Sequence, residues 1–600
     1  MNVKKVALLG VIAALVASYF VFDLGQYLSL DYLKAQRGAF QSLAAEQPVL
    51  VLGGFFLLYV AVTALSLPGA AIMTLAAGAL FGFWVALVLV SFASSVGATL
   101  AFLASRFLFK DAVQSRFGER LKKINAGVAK DGAFYLFTLR LIPAFPFFVI
   151  NLVMGLTPLK TWTFYWVSQV GMLAGTAVYV NAGTQLGELD SLSGLLSVDL
   201  IGAFVLLGLF PWLAKAVMAF LQARKVYRGY QKPKHFDRNL VVIGAGSAGL
   251  VSAYIAATVK ASVTLIEKGE MGGDCLNTGC VPSKALIKSA RLAHLEQKPQ
   301  RYGFTSITPR FDFADVMARI HKVIGKIEPH DSVERYTELG VDCVQGSARI
   351  TSPWEVTVDT AEGERTLTTR NIIIASGARP FVPPIPGIDQ IDILTSENLW
   401  TLTEQPGRLI VLGGGPIGCE LAQSFARLGS EVTQVEMLPR LMPREDEDAA
   451  ALVTASLRDS GVTVLTNHKA ARFAVEDGEK VLYVQADDGE KRLPFDALVA
   501  VGRRANTDGL GLEAMNVATE KNGTVAVDGF LRTRFPNIFA CGDVAGPYQF
   551  THVAAHQAWY ASVNALFGRF KKFQVDYRVI PWATFTDPEV ARVGLSEDEA

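Results

Sequence analysis

The chain has 600 residues, too many for one hydrophobic core and enough for about four domain-sized units. Its net charge of +1, from 56 Lys+Arg against 55 Asp+Glu, supplies no overall field to select nucleic acid. With 51% hydrophobic residues, only 18% charged and five cysteines, disorder, collagen-like structure and a disulfide-stapled secreted scaffold are excluded, and a membrane part averaged with a soluble part is implied.

In chain order, Val6 to Phe22, Val49 to Gly69, Ala70 to Ser105, Thr161 to Gly183 and Leu200 to Ala214 carry no charge, and Ala133 to Gly155 carries only Arg140. A helix of about 20 residues crosses the roughly 30 Å hydrocarbon layer, so several of these runs can span it. Residues 1–221 therefore read as a polytopic α-helical membrane domain with its core at 49–187. Lys4 and Lys5 before the first run also fit a signal peptide. No small-x-small cleavage site follows Phe22 and more apolar segments come later, so an uncleaved first span is the better reading.

Basic residues set the orientation. Arg106 to Lys130 and Lys215 to Arg238 each hold seven Lys/Arg, whereas Thr184 to Asp199 holds none and three acids. The positive-inside rule puts the N-terminus, the Arg106–Lys130 loop and everything after Lys215 in the cytoplasm of a multi-pass cell-membrane protein. Residues 222–238 are basic, include Pro233 and read as a linker.

Two membrane stretches exceed what hydropathy requires. One is Leu67-Pro68-Gly69 followed by Gly78-Ala-Leu-Phe81-Gly82; the other is Arg140-Leu-Ile-Pro143-Ala-Phe-Pro146 running to Asn151. Prolines three apart would break a spanning helix, and an arginine at that depth is costly unless it has a function. In order and spacing, roughly Val49 to Gly187 resembles the DedA/VTT-domain membrane proteins. The resemblance implies two half-membrane hairpins, movement of lipids or lipid-linked carriers, and a membrane site lined by Arg140, Pro143, Pro146 and Asn151. Ala70 to Ser105 has no acidic residue, which argues against proton coupling.

From Asn239 short Val/Ile runs alternate with glycine turns and helical patterns, the mark of an α/β architecture with parallel sheets. Leu240-Val-Val-Ile leads into Gly244-Ala-Gly246-Ser-Ala-Gly249, and a second strand, Val263-Thr-Leu-Ile, ends at Glu267. Such a turn admits a pyrophosphate at a helix N-terminus, and the glutamate can accept from a ribose. The unit recurs as Gly413-Gly-Gly415-Pro-Ile-Gly418 with Glu436. Two dinucleotide sites suggest two cofactors exchanging a hydride. Glu436 favours NADH, and Arg440 nearby leaves NADPH open.

Between the two units stands Gly272-Gly-Asp274-Cys275-Leu-Asn-Thr-Gly-Cys280-Val-Pro-Ser-Lys284. On one helix these cysteines would lie little more than a turn apart, which suits an intrahelical disulfide facing a flavin. A zinc site would need a second Cys or His pair, and none is near.

Together with Ile372-Ile-Ile-Ala-Ser-Gly377, Val501-Gly-Arg503, Asn537-Ile-Phe-Ala-Cys-Gly542-Asp543 and Pro581-Trp-Ala-Thr-Phe585-Thr-Asp-Pro588, this motif makes the half from Asn239 onward resemble the class I flavoprotein disulfide reductases. That is the family of dihydrolipoamide dehydrogenase, glutathione reductase and mercuric reductase. The resemblance implies an FAD-binding domain over 239–406 and 500–570, an NAD(P)-binding domain over 407–499, and the start of an α+β dimerisation domain at 571–600.

It also implies that electrons pass from NADH through FAD to a Cys275–Cys280 redox disulfide and on to a small disulfide or soft-metal substrate. Cys280 would face the flavin, Cys275 would attack substrate, Lys284 would pair with Glu420, and Asp543 would meet the ribitol of FAD. Gly377 belongs to the cofactor-binding set, and no resident metal is expected. Cys343, Cys419 and Cys541 read as packing residues.

Asp274 stands where relatives more often carry threonine and should raise the pKa of Cys275. Ser596-Glu-Asp-Glu599 is a capping box before a helix that the chain does not reach. A longer protein is expected, homodimeric through a C-terminal domain that supplies a His-Glu acid–base pair. Two other readings stay open: a lipid transporter with a redox-sensing flavoprotein half, and an NADH:quinone-type reductase independent of the disulfide.

Overall fold

The computed structural model describes residues 43, 46–131, 133–141, 146–187 and 226–600 except 298, 501 and 598, with scattered positions between 202 and 224. The Val6–Phe22 run, Pro143 and most of the Leu200–Ala214 run lie outside the described residues. The chain divides into two compact units, 1–225 and 226–600.

The first unit is helical. Helix α1 (Pro48–Ala64) starts on a proline, which needs no partner for a missing N–H at that position. After a turn through Ser66 and Gly69, helix α2 runs from Ala70 to Asp131. Its Ala70–Leu108 stretch is the one helix, among the described residues, that is long and apolar enough to cross a membrane. Straight, it would measure about 58 Å, nearly twice the roughly 30 Å hydrocarbon layer. Gly82, at φ +71°, interrupts helical backbone inside it.

The Ala133–Gly155 run is not one span. It is two nine-residue helices, α3 (Ala133–Leu141) and α4 (Phe147–Gly155), with Pro146 capping the second. Neither reaches across a bilayer by itself. Helix α5 (Thr161–Gly187) packs along α2. Glycines permit that approach: a Cβ on Gly183 would fall 2.1 Å from the Leu75 carbonyl oxygen, and one on Gly78 would fall 2.2 Å from that of Val180. Phe102 stacks on Phe164 at 4.2 Å in a core with Leu136 and Met154.

The second unit is built on two sheets, the larger mixed and the smaller parallel. The larger runs β3 (Val341–Gln345), β2 (Val263–Glu267), β1 (Arg238–Ile243), β6 (Gly363–Ile374), β5 (Glu355–Thr360) and β4 (Ser347–Ser352), with β17 (Ile538–Ala540) also pairing β6. Strand β6 serves two layers. Its N-terminal half pairs antiparallel with β5, and its C-terminal half lies parallel to β1 and β17. The strands in the middle of the sheet are buried on both faces, as Val241, Val242, Ile372 and Ile373 require.

The second sheet is ordered β11 (Thr463–Leu465), β10 (Glu431–Val435), β9 (Arg408–Leu412), β15 (Ala497–Ala500) and β8 (Ile393–Leu394), all parallel. Strands β12 (Lys469–Glu476), β13 (Glu479–Ala486) and β14 (Gly489–Phe495) form an antiparallel meander. Strands β7 (Ala378–Phe381) and β16 (Gly502–Ala505) pair in a two-stranded ribbon, as do β18 (Pro581–Thr584) and β19 (Val590–Val593).

The stretch read as a linker, 222–238, is partly folded. Tyr227 stacks on Trp354 at 4.6 Å and its hydroxyl donates to Asn537 Oδ1 at 2.7 Å, while Tyr230 meets Phe535 edge-on. Aromatic burial overrides the basic, proline-containing composition that suggested a free tether.

Candidate functional site

Each sheet places a glycine turn between its first strand and the following helix. In the first, Gly244 has φ +103° and its N–H donates to Ile266 O, and Gly246 caps helix α6 (Ser247–Thr258). A Cβ on Gly244 would sit 2.4 Å from Ala375 O, and one on Gly249 would sit 1.7 Å from Gly244 O. Only glycine fits either place. Glu267 ends β2 and holds the turn, accepting from Ala245 N at 2.6 Å and Gly269 N at 2.8 Å.

The second turn repeats this in detail. Gly413 has φ +115°, Gly415 precedes the helix Pro416–Leu428, and a Cβ on Gly418 would fall 2.3 Å from Gly413 O. Glu436 accepts from Gly414 N at 2.6 Å and Leu438 N at 2.7 Å. Arg440 is committed elsewhere, donating to the carbonyls of Met442, Pro443 and Glu445. These glycine turns at helix N-termini, each closed by a carboxylate, fit the diphosphate and ribose of a dinucleotide.

The cysteine motif folds differently from its expected single helix. Helix α7 (Gly273–Asn277) carries Cys275, the chain breaks at Thr278–Gly279, and α8 (Cys280–His294) begins on Cys280. Gly279 has φ −119° and ψ −101°, outside helical geometry, and Trp400 Nε1 fixes the break by donating to Thr278 O at 2.9 Å. The two cysteines are unbridged and close enough for each to shift the other's titration.

The Cys280 sulfur also lies 3.2 Å from Thr551 Oγ1, on the first residue of helix Thr551–Phe567. The hydrogen bond from Cys275, aided by Thr551 and the charge of Lys284, pulls the Cys280 thiol below its ordinary range. The same bond and burial push Cys275 up. One sulfur is thus prepared as thiolate and the other as thiol. The Asp274 carboxylate pairs with Arg503, and the main causes that push Cys275 up are Cys280 and burial.

Lys284, one turn into α8, reaches Glu420 Oε2 at 2.9 Å and lies 4.6 Å from the Phe585 ring centre. Glu420 is buried, and its other oxygen accepts from Phe585 N at 2.8 Å. The Pro581–Pro588 motif is thereby tied to the same carboxylate. Gly377, at φ +68°, follows β6, and its carbonyl accepts from Asn506 N. Asp543 is nearly buried, and Arg503 donates to it at 3.1 Å. Burial pushes this carboxyl up against the pull of Arg503. Trp400, Thr551 and the bridging role of Arg503 escaped the sequence reading, since each acts on a group far away in the chain.

In the first unit Arg140 is buried at 8% exposure. Its Nε donates to Ser168 Oγ at 3.0 Å and its Nη2 to Asn151 Oδ1 at 2.7 Å, with the Phe147 and Phe164 rings 5.2 and 5.1 Å away. Among the described residues Arg140 Nη1 and Asn151 Nδ2 are buried without a partner. Pro146 caps the helix that carries Asn151. Arg106, unremarked in the sequence beyond its charge, donates to the carbonyls of Gly155, Thr157 and Leu159.

The pyridine nucleotide-disulphide oxidoreductase family model matches residues 238–558, more than half of the chain, and the VTT domain model matches residues 67–185. A mercuric reductase of Streptomyces lividans is 37% identical over 367 residues, covering 60% of this chain and 77% of that protein. A dihydrolipoyl dehydrogenase of Zymomonas mobilis is 35% identical over 370 residues, covering 61% and 78%. Among solved structures, the Cu(II) complex of the HOCl-induced flavoprotein disulfide reductase RclA from Escherichia coli matches with TM-score 0.53 at 32% identity, covering 60% of this chain and 78% of that one.

The chain belongs to the pyridine nucleotide-disulphide oxidoreductase family. It is an FAD-dependent oxidoreductase that uses NAD(P)H and carries an N-terminal VTT domain. The VTT domain and the apolar Ala70–Leu108 helix point to membrane association.

Proposed function

We propose that this is a multi-pass, membrane-tethered, NADH-dependent disulfide reductase with its flavoprotein half in the cytoplasm. Bound FAD would accept a hydride from the nicotinamide and deliver the electron pair to a Cys275–Cys280 disulfide. The observation that carries the reading is the setting of the cysteine pair: Cys280 opens α8 with its sulfur 3.2 Å from Thr551 Oγ1 and Lys284 one turn further on.

Cys280 would keep its charge beside a bound flavin, and Cys275 would be the sulfur that opens a substrate disulfide or takes a soft metal ion. Lys284 and Glu420 tie α8 to the helix Pro416–Leu428. Gly244, Gly246, Gly249, Glu267, Gly377 and Asp543 would hold FAD. Gly413, Gly415, Gly418 and Glu436 would hold NADH. With Arg440 occupied by backbone carbonyls, Glu436 faces a ribose unopposed, which disfavours a 2′-phosphate. The substrate is a small disulfide or a soft metal ion, in keeping with the mercuric reductase and Cu(II)-complex relatives, and the working form is a homodimer.

Anaerobic titration with NADH tests this. A long-wavelength thiolate-to-flavin absorbance should grow in the intact enzyme and vanish in Cys280→Ala. Its absence from the intact enzyme would overturn the mechanism.

A second reading concerns the VTT unit. The orphaned donors Arg140 Nη1 and Asn151 Nδ2 support a site for the anionic headgroup of a lipid or lipid-linked carrier, since a buried cation with free N–H groups is costly until an anion meets it. Binding of a fluorescent anionic lipid to the solubilised protein, lost in Arg140→Ala, is the expected result; equal binding by both would remove it.

A further inference from the structure

Arg503 and Asp274 form a pairing that the redox chemistry above does not use. The Gly272–Asp274 turn lies directly on the first glycine turn: Gly272 N donates to Ala245 O at 3.0 Å, and a Cβ on Gly273 would fall 2.7 Å from Gly246 Cα. Asp543 reaches the same place from the other side, since a Cβ on the preceding Gly542 would fall 3.0 Å from Ala248 Cβ. Two carboxylates therefore flank the turn. Both are bonded by one nitrogen, Arg503 Nη2, whose side chain is 19% exposed. Arg503 arrives from β16, whose pairing with β7 fixes it.

Without that guanidinium, two carboxylates would face each other across a partly buried gap. They would also stand beside a turn shaped for a diphosphate. A carboxylate in this position is an unfavourable neighbour for an anionic cofactor, and Arg503 is the group that offsets it.

We infer that Arg503 is the shared counter-ion that makes Asp274 compatible with FAD, binding the Cys275 turn and Asp543 into one charge-balanced wall of the flavin site. The guanidinium suits this role because it stays charged when largely buried, and its Nη2 carries two N–H donors, one for each carboxylate. Arg503 is a positioning residue in this account. The inference rests on the FAD assignment above, and the two fail differently: protein purified without flavin refutes the assignment, whereas flavin-loaded protein indifferent to Arg503 refutes only the inference.

The test uses the full-length chain in detergent and reads the FAD dissociation constant from the recovery of free-flavin fluorescence on dilution, with no turnover required. Arg503→Met should weaken FAD binding by at least ~30-fold, because an anionic cofactor then meets two unscreened carboxylates. Asp274→Asn in the Arg503→Met background should recover most of that loss, and Asp274→Asn alone should change binding by less than about threefold. A purely packing role for Arg503 would leave the double variant as weak as Arg503→Met.

If Arg503→Met does not fold, Arg503→Lys carries the comparison, with a smaller loss again relieved by Asp274→Asn. Wild-type affinity in Arg503→Met, or no relief by Asp274→Asn in either background, would overturn the inference.

Discussion

The two units treat their functional cations in opposite ways: Lys284 is half-exposed and ion-paired, whereas Arg140 is buried. In the flavoprotein Lys284 is met by Glu420, and that carboxylate is in turn satisfied by Phe585 N. In the helical unit, among the described residues, Arg140 is met by neutral oxygens from Ser168 and Asn151 and by two aromatic faces, and its Nη1 has no partner. Ser95 Oγ and Gln169 Oε1 in the same unit are also buried without partners among the described residues. A paired cation is electrostatically settled, whereas one with donors left over is the feature on which the proposed anion site rests.

Removing the prepared thiolate should have the largest effect. Cys280→Ala is expected to cut disulfide or metal reduction by at least ~10³-fold while leaving FAD bound, measured as NADH consumption with substrate. Substantial turnover would shift the chain toward quinone reduction without sulfur.

On the other side of the comparison, Arg140→Ala should lower lipid movement in reconstituted vesicles by more than about tenfold with NADH oxidation changed less than about twofold. If both activities fell together, the two units would not be energetically separate. Smaller in size, Glu436→Ala should narrow the preference for NADH over NADPH by about tenfold, read as a ratio of kcat/KM values, whereas Arg440→Ala should leave that ratio alone.

The finest test is pH. A depressed pKa keeps the Cys280 thiolate present below the pH at which an ordinary cysteine protonates. Alkylation of the reduced enzyme should therefore persist into mildly acidic solution and fall only on further acidification. In Thr551→Val the fall should come at higher pH, because one donor to the sulfur is gone.

Much of this was legible because it is local. A glycine whose Cβ would strike its own turn, as at Gly249 and Gly418, leaves a mark within a dozen residues, and the glutamate closing the turn follows one strand later. The cysteine motif likewise announced its chemistry, though not its shape. Spacing suggested one helix, and the break at Thr278–Gly279 depends on Trp400, which arrives from far along the chain.

The same limit explains Asp274. Beside Cys275 in sequence it looked like a perturbing charge, and only the fold brings Arg503 to claim it. In the helical unit, Arg140 could be singled out as an anomaly. Its partner Asn151 shared its motif, but Ser168 on α5 could not be anticipated without the packing of α3 against α5.

The seat of Tyr227 carries a mechanical consequence. Asn537, which accepts its hydroxyl, also donates to Pro353 O and Arg370 O, and stands directly before β17 in the sheet that bears the first dinucleotide turn. The first residues of the second unit are thus fastened to its own sheet. A pull applied at Tyr227 is borne by Asn537 and the edge of that sheet.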